Sequence, residues 1–538
     1  MSIGLTHAGP SSCHEAFTAL RKHFGDRFQN DSATVKHYGR TAMPKAPCPI
    51  GVVKARTKDD VLACLAIARQ FQVPFYPISG GKNWGLGSAC PTTDGQIVLD
   101  LSGMNRILEV NEELGYAVLE PGVTQGQLYQ YLQENGINLW LDATGAGPDA
   151  TILGNLMERG YGHTPNGDRF HNSCAYEVVL ADGTTVETGW SHDRRSKVSN
   201  LFKTGMGPSL DGLFTQSNLG IVLRATVWLI PKPECFSAYA FRLDSKTDLS
   251  RAIDALRPLR SLGVINSVVH LANDYRIISS HRNFPYDQCS GEDPLPETLR
   301  SHFRSELGLG EWNVLGGIYG TKASVAGVKR SLQKALRGIT RPIFINDGKL
   351  AAFDQAYRTA PWLPGLRKLK AKVESARSAI ALLKGEPVRD HLGGSGWRSR
   401  LSWQDKPTDP LDRGDGIMWL TPLVPLSGSA TADYLQLVES VFDEHGFEPL
   451  LTFVMISGRV MCCPTTICYD KSCETQSLRA EACYKALSTR TREAGFPPYR
   501  TGISGIPSQV APNSQPTQLF NRELVASGLI APGRYGWT

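Results

Sequence analysis

The sequence predicts an α+β fold. Three observations predict it: strand-like apolar runs alternate with amphipathic helical runs from Gly51, glycine-rich loops abut those strands, and longer helical stretches take over after Pro231. With 538 residues, 41% hydrophobic and 20% charged, the chain supplies two or three cores. The net charge of +6 is not gathered into a basic run. Nucleic acid and membrane are therefore not expected as partners, and a small molecule is. The first residues lack the basic start and apolar run of a signal peptide, no apolar stretch reaches about 18 residues, and the chain does not end in a peroxisomal tripeptide. The expected location is cytoplasmic.

GVVKAR, from Gly51, reads as extended, and Thr57 can cap a following helix with Asp60 three residues on. Val61, Cys64, Leu65 and Ala68 would share one face of that helix. PFYPIS is the next strand, followed by a glycine-rich loop from Gly80 to Pro91, the strands QIVLDLS and YAVLEPG, and a helix in TQGQLYQYLQEN. A second glycine-rich region runs from Gly145 to Gly167, and LFTQSNLGIVLRATVWLIP closes this part near Pro231. Beyond it LSRAIDALRPLRSL and ASVAGVKRSLQKAL read as helices, and Leu366 to Asp415 is charged and weakly patterned. GIMWLTPLVP then reads as a strand, TADYLQLVESVFDEHG as an amphipathic helix, and LLTFVMISGRVMCCPTTICY as paired strands. The twelve cysteines are expected as free thiols. Cys462, Cys463, Cys468 and Cys473 lack paired C-x-x-C spacing and read as small buried hydrophobes, so no metal is expected.

Gly80, Gly81, Gly85 and Gly87 present backbone N–H groups without Cβ obstruction, which lets a chain approach a pyrophosphate closely. Taken alone, one such cluster reads rather as a set of tight turns in an irregular loop. The loop does not follow G-x-G-x-x-G into a helix, which disfavours a Rossmann nicotinamide site. Two further loops of similar character favour a distributed dinucleotide cradle.

PISGGKNWGLGSACP, IVLDLSGMNRILEVN, YAVLEPGVTQGQLYQYL, LWLDATG, ILGNLMERGYGHTPNGD, GPSLDGLFTQSNLGIV, GIMWLTPLVP, YRTG and APGRYG resemble, in chain order, the vanillyl-alcohol oxidase and 4-cresol dehydrogenase family. The resemblance implies a two-lobed PCMH-type FAD-binding domain with a central α+β substrate-binding cap. The FAD-binding domain would comprise residues 1–232 and 496–538, and the cap residues 233–495. It implies that Ser79, Gly80, Gly81, Lys82, Asn83, Trp84, Gly85 and Leu86 cradle the FAD pyrophosphate. Gly154, Asn155, Glu158, Gly160, Gly162 and Ile221 would lie along the flavin and its adenosine half, with Arg534 nearby. Asn155 and Asn218 read equally as turn residues.

The family holds a phenol substrate as its phenolate with two tyrosines and an arginine, so that hydride can leave the benzylic carbon. Tyr499 and Arg500 match the tyrosine-arginine pair. The position of the second tyrosine is Leu86, and a family tyrosine is replaced by His163. His163 reads either as a general base of near-neutral pKa or as a hydrogen-bonded core histidine. The family's acid near the flavin aligns with Gly145 or Ala146, with Asp149 a possible replacement. The flavin-linking histidine position holds Ile417, and that of related folds holds Lys82, so noncovalent FAD is expected. His391 is a weaker linkage candidate, and the dehydrogenase branch's linking tyrosine is absent near Trp403.

The leading expectation is an FAD-dependent oxidoreductase that takes hydride from a benzylic or similarly placed carbon of an aromatic or medium-sized organic substrate. O2 or another acceptor would reoxidise the flavin, and a homo-oligomer is the family expectation. The alternatives are a flavin-dependent isomerase or cyclase using His163 and Tyr499 for proton transfer, and a noncatalytic flavin-binding protein.

Overall fold

A computed structural model describes residues 10–289, 294–401, 409–503 and 528–536. The Thr57 hydroxyl accepts the Asp60 N–H at 3.2 Å, while the Asp60 carboxylate accepts the Thr57 N–H at 3.2 Å. This reciprocal cap starts the helix Lys58–Phe71, which buries Val61, Cys64, Leu65, Ile67 and Ala68. Those side chains cover a four-stranded sheet in which Gly51–Lys54, Ile97–Asp100 and Phe75–Ile78 run parallel. Phe75–Ile78 would be an exposed edge but for residues 528–536. The Phe75 N–H donates to Leu529 O at 2.9 Å, and the Ala531 N–H donates to Phe75 O at 2.7 Å. The chain's last described segment thus pairs with Phe75 through an isolated parallel bridge at Ile530 and brings Arg534 to the site.

A second, antiparallel sheet holds Ile107–Asn111, Tyr116–Leu119, Ile221–Trp228, Ser173–Val179 and Thr185–Glu187 in that order. The helices Gln125–Glu134 and Ile152–Met157 pack against it through Leu128, Leu132, Leu153 and Leu156.

From Cys235 the chain builds a nine-stranded sheet around Cys235–Leu243, Trp312–Gly320, Val269–Asn273 and Leu450–Met455. The helices Lys246–Ser261, Lys322–Ala335, Gly428–His445 and Glu474–Glu493 contribute to its core. GIMWLTPLVP forms two strands, Gly416–Leu420 and Leu423–Pro425, rather than one, because Thr421 and Pro422 turn the chain from one partner strand to another. Within the weakly patterned charged region lies the 20-residue helix Pro364–Leu383, whose buried apolar residues Ile380, Leu382 and Leu383 gather in its last turn. None of the twelve cysteines forms a disulfide, and Cys462, Cys463 and Cys468 are buried. No helix among the described residues is long and apolar enough to cross a membrane.

Candidate functional site

A cleft of about 1180 Å³, counted to its open mouth, lies where the first two sheets meet. Its making depends on glycine. A Cβ at Gly80 would lie 3.0 Å from the Thr151 methyl, and one at Gly154 would lie 3.1 Å from the Ser79 Cβ. The segment after Phe75–Ile78 and the start of Ile152–Met157 therefore press together with only hydrogen atoms between them. Gly81 adds a φ of +64°, open to glycine at little cost. Of the residues singled out from sequence, Ser79, Gly80, Gly81, Lys82, Asn83, Gly154, Asn155, Glu158, Ile221, Arg500 and Arg534 line this cleft.

Sequence reasoning did not single out Tyr76, Ser88, Thr151, Gln216 or Tyr535, which line it too. Four lining residues that are not glycine sit at positive φ: Ser88 (57°), Gln216 (51°), Ala531 (37°) and Tyr535 (51°). Each such residue costs roughly 1–3 kcal/mol, and strain gathered around one cavity is a mark of a working site.

Across the cleft the Arg534 guanidinium meets the Glu158 carboxylate at 2.5 Å, and the Tyr535 hydroxyl donates to the same carboxylate at 2.5 Å. Burial alone would raise the Glu158 pKa, but Arg534, Tyr535 and Arg500 outweigh it and hold the carboxyl below its ordinary value. Four buried polar atoms of lining residues have no partner among the described residues: Ser88 Oγ, Asn155 Oδ1, Arg500 Nε and Arg534 Nη1. Leaving such atoms unpaired is costly, so the cleft is built for a polar ligand.

Beside the cleft stands a wall of polar rings. Tyr499 meets Tyr161 edge-on, with centroids 5.6 Å apart and planes at 75°. His163 stacks on His270 at 4.3 Å, and its Nδ1 lies 3.1 Å from Ala143 O. Tyr499 also packs against the buried cluster of Val268, Val454 and Cys462. Burial pushes the Tyr499 phenol up to about 12, so it is a proton donor at neutral pH. Of the two readings of His163, that of a general base with a near-neutral pKa is corrected: burial, with a smaller push from Arg169, lowers the pKa to about 4. Burial disfavours imidazolium, and the Ala143 contact does not compensate. Because the unfolded chain takes up this proton first, His163 should cost stability progressively as pH falls from about 6.5 towards about 4. H163Q is accordingly expected to lose less stability than the parent between about pH 7 and about pH 5 in urea titrations. Equal losses would exclude His163 as a source of acid sensitivity.

Other singled-out residues lie elsewhere. Trp84, Gly85 and Leu86 are buried behind the cleft. The Trp84 indole donates to Asp409 at 3.0 Å, and a Cβ at Gly85 would lie 2.6 Å from the Trp419 ring. Gly160 and Gly162 leave room for neighbours rather than lining the cavity, since a Cβ there would meet the Asn155 amide at 2.3 Å and the Asp142 carboxylate at 1.7 Å. Lys82, in the cleft wall, is ion-paired with Asp409. Asp149 is corrected as a replacement acid: it lies at the surface, 58% exposed and paired with Arg389 at 2.5 Å. Ala146, one of the two positions aligned with the missing acid, does line the cleft. Ile417 is sealed in an apolar cluster with Ala42 and Trp84. The His391 side chain and all of Trp403 lie outside the described residues, as do residues 504–527 of the C-terminal segment.

An FAD binding domain profile matches residues 49–189. Over 491 residues the chain is 35% identical to 1'-carboxy-chondrochloren decarboxylase of Chondromyces crocatus, covering 90% of each protein. Over 543 residues it is 30% identical to the 4-cresol dehydrogenase [hydroxylating] flavoprotein subunit of Pseudomonas putida, covering 99% of this chain and 96% of that one. The chain belongs to the vanillyl-alcohol oxidase family. The crystal structure of p-cresol methylhydroxylase with substrate bound agrees at TM-score 0.86 and 28% identity over 98% of both chains. As a member of the vanillyl-alcohol oxidase family the protein is an FAD-dependent oxidoreductase, and FAD is its cofactor. The cleft fits that group. FAD carries an anionic diphosphate, and Arg534 Nη1, Arg500 Nε and Ser88 Oγ are buried donors without partners among the described residues. Gly80 and Gly154 keep the walls free of side-chain bulk.

Proposed function

We propose that this enzyme binds a phenolic substrate as its phenolate through Tyr499 and Arg500 and removes a hydride from the benzylic or similarly placed carbon. FAD, when bound, supplies a two-electron acceptor for that hydride. The observation that carries the reading is the position of Arg500. It lines the FAD cleft, its guanidinium carbon lies 5.6 Å from the centre of the Tyr499 ring, and its Nε has no partner among the described residues. One cation thus stands between the cofactor space and the phenol donor. Arg500 lowers the cost of the substrate oxyanion, and Tyr499 donates to the same oxygen. The ring's negative charge then drives the hydride out, leaving a neutral quinone methide. Ser79, Gly80, Gly81, Asn83, Gly154, Asn155, Glu158, Ile221 and Arg534 would hold FAD, without a covalent bond at Ile417 or Lys82. O2 or another acceptor takes the electrons afterwards.

The 35% identity to a decarboxylase favours a second reading, in which the substrate bears a carboxylate one carbon beyond the reacting centre. Loss of CO2 from the quinone methide would return the electron pair to the ring and leave a vinyl phenolate. One experiment tests both. Purified enzyme is precipitated with acid, then fresh enzyme is mixed without oxygen with 4-ethylphenol, vanillyl alcohol and 3-(4-hydroxyphenyl)propanoate while CO2 is measured. FAD is expected in the supernatant, and the flavin colour should bleach with at least one phenol. R500Q should slow bleaching by roughly 100- to 1,000-fold, as loss of an oxyanion donor does elsewhere. CO2 in step with bleaching selects the second reading. A bound flavin that dithionite reduces but no phenol does would sink the phenolate assignment.

A further inference from the structure

An oxyanion held by one tyrosine and one arginine has room for a further donor, and Leu86, apolar and buried, does not provide it. Tyr161 stands beside Tyr499. Its ring meets Tyr499 edge-on at 5.6 Å, and both residues are only half-buried. Neither hydroxyl bonds to any described residue, although many of the chain's other tyrosines do, such as Tyr38 to Asp100, Tyr116 to Glu109 and Tyr434 to Thr465. The backbone also fixes where Tyr161 faces. Tyr161 bridges antiparallel to Asp168, the Gly162 N–H donates to Gly167 O at 2.9 Å, and the Asp142 carboxylate occupies the space beside Gly162. In such an extended stretch alternate residues share a face, so Tyr161 and His163 point together, away from Asp142. That face meets Tyr499 through Tyr161 and His270 through His163.

We infer that Tyr161 is a substrate-binding residue: its hydroxyl donates, together with Tyr499 and Arg500, to the oxygen of a para-substituted phenolate. The inference rests on the phenolate reading above. It adds a specificity element, since the donor enters from the loop after the Gly160 bend rather than from the Gly80 loop that borders FAD. Burial and the nearby Asp168 carboxylate push the Tyr161 phenol well above its ordinary value, so it stays protonated and able to donate.

The test uses FAD-loaded enzyme and two ligands without a reactive benzylic position or without a hydroxyl: 4-chlorophenol and 4-chlorotoluene. Binding is followed by the flavin absorbance, and ionisation by the near-ultraviolet phenolate band as pH is varied. Y161F should weaken 4-chlorophenol by about 10- to 100-fold, the range for one hydrogen bond to a charged acceptor, and should move formation of the bound phenolate to higher pH. Binding of 4-chlorotoluene should be unchanged. If Y161F binds 4-chlorophenol as the parent does, still as phenolate, this inference is overturned and the Tyr499 and Arg500 reading stands. Equal weakening of both ligands overturns it as well, because Tyr161 would then act by packing. A parent enzyme that shows no phenolate band and no preference for 4-chlorophenol overturns the underlying reading and the inference with it. Y161M gives the same comparison if Y161F does not retain FAD.

Discussion

Replacing Arg534 with alanine is expected to yield protein that elutes from gel filtration without flavin and unfolds at a lower temperature than the parent. Arg534 is 6% exposed and pairs with Glu158 at 2.5 Å, while its other terminal nitrogen has no partner among the described residues. R534A removes the cation from both. Glu158 keeps the Tyr535 hydroxyl but loses its counter-charge in a low-dielectric cleft, which costs about 3 kcal/mol when one partner of such a pair is deleted. The diphosphate loses a charge-assisted donor at the same time, worth roughly 1.5–3 kcal/mol, or about 10- to 100-fold in affinity. The two losses are separable. A double variant, E158M with R534M, removes both charges and should recover much of the melting temperature while still failing to retain FAD. Full flavin occupancy in that double variant would mean that Arg534 serves only to neutralise Glu158.

What the sequence made legible was mostly local. The Thr57 cap, the helix it starts and the buried parallel strands follow from spacing within a few residues, and they stand where those spacings put them. Gly80, Gly81 and Gly154 of the glycine-rich loops line the cleft, whereas Gly85, Gly160 and Gly162 make room for Trp419, Asn155 and Asp142, because spacing alone does not say which neighbour fills the space a missing side chain leaves. Arg534 was reached only through resemblance, since its position depends on residues 528–536 pairing with Phe75, more than 400 residues away in the chain. Tyr161 and Tyr535 likewise meet partners far along the chain, Tyr499 and Glu158, although a local bridge to Asp168 sets the direction of Tyr161. Asp149 failed for a related reason: an alignment register near a glycine-rich bend says nothing of direction, and Arg389 from a distant segment holds that carboxylate at the surface. His163 was found as a residue, but not in its protonation, because desolvation is set by the walls that close around it.

The most damaging small change should be Gly162→Ala. Glycine is needed there for space rather than for an unusual backbone angle. An added methyl carbon would stand 1.7 Å from Asp142 Oδ2, so the carboxylate must move. It is not free to do so cheaply. Asp142 accepts the Thr164 hydroxyl at 2.7 Å, the Thr164 N–H at 3.1 Å and the Arg169 Nε–H at 3.1 Å, and both charged side chains are about 5–6% exposed. Displacement separates a buried ion pair, at about 3–5 kcal/mol, or moves the loop that carries Tyr161 and His163. In the first case G162A unfolds at a markedly lower urea concentration with FAD and phenol binding intact until it does. In the second, stability falls less and 4-chlorophenol binding is lost. Gly327→Ala supplies the contrast: it lies in the helix Lys322–Ala335 with nothing within 4 Å of an added Cβ, and should gain about 0.4–1 kcal/mol. G162A matching the parent in both urea midpoint and phenol affinity would show that the Asp142–Arg169 pair yields freely, and with it the argument that this pair fixes the substrate-side loop.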